Sequence, residues 1–336
     1  MKVLFIGGTG NISRSCTLAA LDQGIEVIHC NRGATPLYGP AGKRIAREVR
    51  TIICHIRDKK WTEKLMKKEE FDCVADWIAF TPEHIITDIE IFRHRTKQFI
   101  FISSASAYHK PPQNYIITES TPLSNPYWEY AKNKIACETA LNDAYQNEKF
   151  PITIIRPAHT YADGQFPTTF GSRDFTVPQR MIDGRKIVVH GDGQSLWTIT
   201  HSDDFAKGFV GLIGNPRSIG ETYHITSDEA LTWDHIHEAI GKALCVEPRI
   251  VHIPSDYIAE KCPDVGPPIL GDKRYSQIFD NTKIKRIVPG YRATIPFSEG
   301  MKRSVAWREA CGFPKVQPDK DSAIDSLLAA WPPSPR

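Results

Sequence analysis

The stretch MKVLFIGGTGNIS, Met1 to Ser13, decides the fold. Lys2 to Ile6 is a short β-branched and apolar run that stops at Gly7-Gly8-Thr9-Gly10, and from Asn11 apolar residues recur at helical spacing (Ile12, Cys16, Leu18, Ala19, Ala20). This reads as a strand, a tight turn and a helix. Gly7 permits the turn, and Gly10 lets backbone N–H groups approach a diphosphate. The helix starting near Asn11 turns the positive end of its dipole on the same place. A dinucleotide site contacting Gly7, Thr9, Gly10, Asn11 and Ile12 is expected. Ser13 replaces the third glycine of the pattern and is small enough for close packing of helix on strand.

Outward from this stretch, the chain alternates strand and helix. Ile25 to Cys30, Thr51 to Cys54, Phe71 to Phe80 and Gln98 to Ser104 read as further strands. The second ends in Asn31-Arg32-Gly33, where an acidic residue would hold a ribose 2′-hydroxyl and an arginine a 2′-phosphate. Asn31 and Arg32 therefore lean towards NADP. His55 and Ile56 fall where such a chain runs past the adenine, and Ala79, at the end of the fourth strand, should face the cofactor. Asp76 reads as structural. The fifth strand delivers Ser104-Ala105-Ser106 to the carboxyl end of the sheet, where ligands collect in open parallel sheets.

After a Pro/Asn-rich loop, Trp128 to Tyr145 has helical periodicity, so Tyr130 and Lys134 lie one turn apart on one face. A phenol with a reference pKa near ~10 is a poor base at neutral pH, and an ammonium one turn away is expected to favour the phenolate. Tyr130 could then exchange a proton with a substrate hydroxyl while NAD or NADP exchanges a hydride at the same carbon, with Ser104 bonded to the same oxygen. Ser104, Tyr130 and Lys134 are the candidate catalytic residues.

The totals suit this reading. The chain has 336 residues, 41% of them hydrophobic and 24% charged, with a net charge of +3. That is ordinary for a soluble α/β protein and argues against a nucleic-acid or membrane surface as partner. Eight scattered cysteines, several in apolar runs, point to a reducing compartment, and without an apolar run long enough to span a bilayer the cytoplasm is expected. His201, Asp203 and Asp204 suit a helix N-terminus better than a metal, and no metal is expected.

Gly7 to Gly10, FISSASAY (Phe101 to Tyr108), YAKNK (Tyr130 to Lys134), ITIIRPAHTY (Ile152 to Tyr161) and HGDGQSLWTITHSDDFAKGF (His190 to Phe209) together resemble the extended short-chain dehydrogenase/reductase superfamily. The similarity is to its NAD-dependent epimerase/dehydratase group, and within that to an atypical branch that includes chloroplast stem-loop RNA-binding proteins. It implies a Rossmann-type doubly wound parallel sheet over 1–165, with returns near 200–225, and a smaller, mixed substrate lobe over most of 166–315. The remaining 316–336 reads as a partly ordered extension. The resemblance also implies that Lys134 binds the nicotinamide ribose, that Pro157 and His159 line the nicotinamide, that Ser106 helps hold a sugar, and that the protein is a homodimer. Ala105-Ser106-Ala107 stand where the dehydratases carry an acid-base pair, which disfavours dehydration. Trp197 occupies the place of a diphosphate-binding arginine, so either another cation such as Arg173, Arg180 or Arg274 substitutes, or Trp197 is a wall for an uncharged substrate.

The expected function is oxidoreduction at a secondary hydroxyl or keto carbon of a sugar-like small molecule, most simply an epimerisation. A net NADP(H)-dependent reductase or dehydrogenase uses the same residues. An RNA-binding module of the same fold is the alternative from another class, against which stand the weak net charge and the intact Ser104, Tyr130 and Lys134 set.

Overall fold

The computed structural model describes residues 1–312 and 315–332. Strands β1 (Lys2–Ile6), β2 (Glu26–Asn31), β3 (Arg50–Ile53), β4 (Cys73–Asp76) and β5 (Phe99–Ile102) are joined by Ile152–Ile155 and Glu221–Tyr223 in one seven-stranded sheet. Every pairing in it is parallel. From one edge the order is Glu221–Tyr223, Ile152–Ile155, β5, β4, β1, β2, β3. The order reverses at β1, and a crevice opens above the carboxyl ends there, the place where such sheets take ligands.

A parallel sheet is covered by helices on both faces, so its central strands are apolar throughout. The four residues of β5, Phe-Ile-Phe-Ile, are all buried. One face packs Val3, Phe5 and Ala75 against helix α1 (Asn11–Asp22) and the helix Ser202–Leu212. The other packs Leu4, Ile6 and Phe101 against Pro82–Phe92 and Glu129–Glu148. A third core, built on Trp197, Trp233, Ile187 and Val189, belongs to the region after 160 and includes the parallel pair Lys186–His190 and Arg249–Ile253. The expected doubly wound sheet with a smaller mixed lobe is the architecture found.

Two local expectations are corrected, and one segment takes a form of its own. The fourth strand is four residues, not ten, because Asp76 accepts from the N–H groups of Ile78 and Ala79 and turns the chain away from the sheet. The Pro/Gly-rich segment 263–272 forms a short turn of helix at Gly266–Pro268 followed by a π-helical turn at Ile269–Lys273. The C-terminal stretch is a 12-residue helix, Pro318–Ala329, whose Ile324 and Leu327 are buried in the third core. Pro318 opens that helix, where its missing N–H costs nothing.

Candidate active site

The glycine turn is built for close approach. Gly7 has φ +83°, and a Cβ there would lie 2.5 Å from Ile78 Cγ2. A Cβ on Gly8 would fall 2.3 Å from the His29 ring. Ser13 does more than the small residue expected of it: its buried hydroxyl donates to the Gly7 carbonyl at 2.9 Å and accepts from the Gly10 N–H at 2.9 Å. The turn is thus fixed before any ligand arrives. α1 begins directly after it with no acidic residue in its first turn, so its unpaired N–H groups suit a phosphate.

A cleft of about 410 Å³ opens beside this turn, lined by Gly7, Thr9, Gly10, Asn31, Arg32, His55, Ile56, Ile78 and Phe80. Seven of the expected cofactor contacts therefore share one surface. Asn31 turns its side-chain oxygen onto the Gly33 N–H at 2.8 Å, while Arg32 is exposed on the cleft wall. No carboxylate among the described residues lines this wall to repel a 2′-phosphate. Asn11 instead faces a neighbouring cavity of about 440 Å³ with Arg14 and Arg173, and Ile12 packs into the core under the sheet. These features fit a dinucleotide laid over the turn.

Behind Phe80 of the cleft wall stands the helix Glu129–Glu148. Lys134 is 1% exposed, and its Nζ donates to the carbonyls of Ala79 and Ile102, each at 2.7 Å. Ala79 thus enters the site through its backbone. The ammonium sits 5.7 Å from the Tyr130 ring centroid and 5.0 Å from that of Phe80. Burial pushes Lys134 down to about 8. Tyr130 moves opposite to expectation: burial pushes its phenol up, with a hydrogen bond from Ser104 acting against that and the charge of Asp272 adding to it. The correction has a plain cause, since Lys134 directs its hydrogen bonds to two carbonyls and the phenol loses water.

Ser104 and Ser106 face each other with their hydroxyl oxygens 2.8 Å apart, beyond the end of β5. Asn125, buried, donates to the carbonyls of Ser106 and Gly271 at 2.8 and 2.7 Å, joining this turn to the π-helical turn that carries Asp272. Pro157 accepts from the Ala105 N–H at 2.9 Å, which ties the following His159 close to the serines. A small nook of about 10 Å³ lies among Ala105, His159, Trp197, Asp272, Gln277 and Phe279. His159 is held neutral, burial and then the charge of Lys273 pushing it down to about 3. Trp197 does wall this nook, but its ring is buried against Trp233, 5.4 Å between centroids.

Arg180, expected at the substrate, is committed to ion pairs within the fold. It is 2% exposed and pairs with Asp321 at 2.6 Å and Asp325 at 2.7 Å of the C-terminal helix. Arg274 pairs with Asp256 at 2.8 Å. Of the three candidate cations, Arg173 is the one whose charge acts on Tyr130. His201, Asp203 and Asp204 are committed elsewhere: His201 to Asp163, Asp203 to Arg303, Asp204 to Lys207. Two further features escaped sequence reasoning. Asp272 lies in the π-helical turn, which no motif marks, and Arg57 reaches two carboxylates, Asp76 and Asp88, distant in sequence.

A glycine cradle at the switch point of a parallel sheet, with Tyr and Lys packed behind its Phe80 wall and Ser bonded to the same Tyr, defines a dinucleotide-dependent enzyme of the short-chain dehydrogenase type. The family model described as "NAD dependent epimerase/dehydratase family" matches residues 3–226, and the chain belongs to that family. It is 25% identical over 301 residues to a 2′-dehydrokanamycin reductase of Streptomyces kanamyceticus, covering 87% of this chain and 80% of that protein. It is 26% identical over 260 residues to the chloroplast stem-loop binding protein of 41 kDa b of Arabidopsis thaliana, covering 75% and 65%. Among solved structures, UDP-glucose 4-epimerase of Bifidobacterium longum, in complex with NAD+ and UDP, superposes with a TM-score of 0.74 at 18% identity, covering 92% and 98%. No helix among the described residues is long and apolar enough to cross a membrane.

Proposed function

We propose that the protein is an NADP(H)-preferring reductase of a ketone on a sugar-like molecule that carries no nucleotide diphosphate. NADPH, held by the glycine turn, Arg32 and Lys134, would supply the hydride for the carbonyl carbon. Tyr130 gives its phenolic proton to the carbonyl oxygen as that oxygen gains charge, and Ser104 donates a hydrogen bond to the same atom. Lys134 holds the cofactor ribose and offsets the charge left on the phenolate, which solvent then reprotonates.

The observation that carries this reading is the commitment of two of the candidate diphosphate-binding cations, Arg180 and Arg274, to ion pairs within the fold, while Tyr130, protonated at neutral pH, is available as the proton donor. Arg173 is left as the candidate cation whose charge acts on Tyr130. An epimerase must retain its ketone while that ketone turns over, and a gripped diphosphate is the usual handle for doing so. The match to a protein named 2′-dehydrokanamycin reductase supports the same reading. Arg32 on the adenosine wall supports the NADP preference.

Epimerisation remains the second reading, favoured by the family's many epimerases. Deuterium separates the two. With [4-²H]NADPH and a panel of keto-sugars including 2′-dehydrokanamycin, the reductase reading expects one deuterium in the product carbinol and one oxidised cofactor per turnover. Inversion of a carbinol centre with no net cofactor consumption would establish the epimerase instead.

A further inference from the structure

Beneath the adenine half of the cleft, Arg57 spans two fully buried carboxylates. Its Nη2 donates to Asp76 at 2.9 Å, and its Nη1 to Asp88 at 2.7 Å and to the His84 carbonyl at 3.2 Å. The second oxygen of Asp76 accepts from the N–H groups of Ile78 at 2.6 Å and Ala79 at 2.9 Å. The Ala79 carbonyl in turn accepts from Lys134. One continuous set of bonds therefore runs from Arg57, on the cleft wall, through Asp76 and the 77–80 loop to Lys134.

The charge states follow from the same geometry. Two buried anions against one guanidinium would leave an uncompensated charge, which is costly. Both oxygens of Asp76 accept from N–H groups, whereas one oxygen of Asp88 has no hydrogen-bond partner among the described residues, so the anion is better served at Asp76. Burial, then the neighbouring Asp76 charge, pushes Asp88 well above the carboxylate range. Asp76, although burial also acts to raise it, is held below that range by the hydrogen bond from Asp88 and by Arg57. Asp76 is the anion and Asp88 the neutral acid.

We infer that Arg57 and Asp76 are positioning residues that make the adenine wall and the Lys134 anchor one rigid unit, so that the two are set together. The inference rests on the reading of Lys134 as a ribose ligand. Asp88, as the neutral partner, satisfies the anion and bears no charge of its own.

The test compares dissociation constants for NADPH and for ADP, which spans only the adenine half, across the full-length protein and its variants. Asp76→Asn and Arg57→Lys are expected to weaken NADPH about tenfold and ADP only about threefold, because a loosened loop loses the ribose anchor as well as the wall. Lys134→Met should weaken NADPH and leave ADP unchanged. Asp88→Asn, an amide in place of a neutral acid, should stay within about twofold for both ligands. Unchanged NADPH-to-ADP ratios in Arg57→Lys and Asp76→Asn, or an Asp88→Asn variant as impaired as Asp76→Asn, would overturn the inference. Should Asp76→Asn fail to fold, Arg57→Lys, which keeps the charge and loses only the fork, decides alone. A wild-type protein that binds neither ligand overturns instead the reading on which the inference rests.

Discussion

At the scale of the residue, the chemistry turns on Tyr130. Its Phe variant keeps the ring that packs 4.9 Å from Trp128 and loses only the proton. Tyr130→Phe should therefore bind NADPH like the wild type and lose about 10²–10⁴-fold in turnover, a split that single-turnover kinetics resolves. Arg32→Ala should weaken NADPH by about tenfold and leave NADH unchanged, since a lone exposed cation contributes only where a phosphate meets it. Tyr130 and Lys134 were legible because their partnership is local, four residues along one helix. Arg57 was not, because the carboxylates that orient it, Asp76 and Asp88, arrive from a strand and a helix further along the chain. The sign of the Tyr130 shift was likewise invisible: spacing places an ammonium near a phenol, but burial and the carbonyls that engage that ammonium are tertiary facts.

At the scale of the element, the glycine turn was read correctly from Gly7 to Gly10, and the role of Ser13 was read only in part. Gly8 owes its identity to His29, whose ring is fixed by a 2.9 Å hydrogen bond to Thr17 and by stacking on Phe5. With that ring unable to yield, Gly8→Ala should cost about 1–3 kcal/mol in urea unfolding. The C-terminal helix shows the opposite failure. The prolines of this stretch suggested an extension, whereas the apolar stripe that matters, Ile324 and Leu327 three residues apart, is only two residues long. Removing the buried Arg180 leaves two partly exposed carboxylates that water can serve. Arg180→Met should then lower stability by about 1–3 kcal/mol while leaving NADPH affinity and substrate KM alone. A raised KM with unchanged stability would return Arg180 to the substrate site.

At the scale of the molecule, fold class was the most legible feature, because continuous apolar strands between amphipathic helices have one economical packing. The placement of the C-terminal helix on the small lobe was not, since it depends on contacts between segments more than a hundred residues apart. Three histidines, His29, His190 and His237, are at most 1% exposed and held neutral, burial pushing them down to about 4, 3 and 4. Unfolded, each takes a proton near the reference value of ~6.5, so between there and about pH 4 the unfolded chain binds more protons than the native one. Their joint contribution makes stability fall as pH drops below about 6.5, by up to about 1.4 kcal/mol per pH unit for each group. Urea midpoints measured from pH 7 to 5 check this, and a flat profile would contradict it.

The central claim, that this fold holds a nicotinamide dinucleotide across the glycine turn and reaches Lys134 with it, is tested most directly by titrating the purified chain with NADPH and NADH. Tryptophan fluorescence gives the affinity and native mass spectrometry the stoichiometry. One dinucleotide per chain, displaced by ADP-ribose, with NADPH bound more tightly than NADH, is the predicted result. Failure of both dinucleotides to bind at millimolar concentration, in a chain shown to be folded, would contradict it.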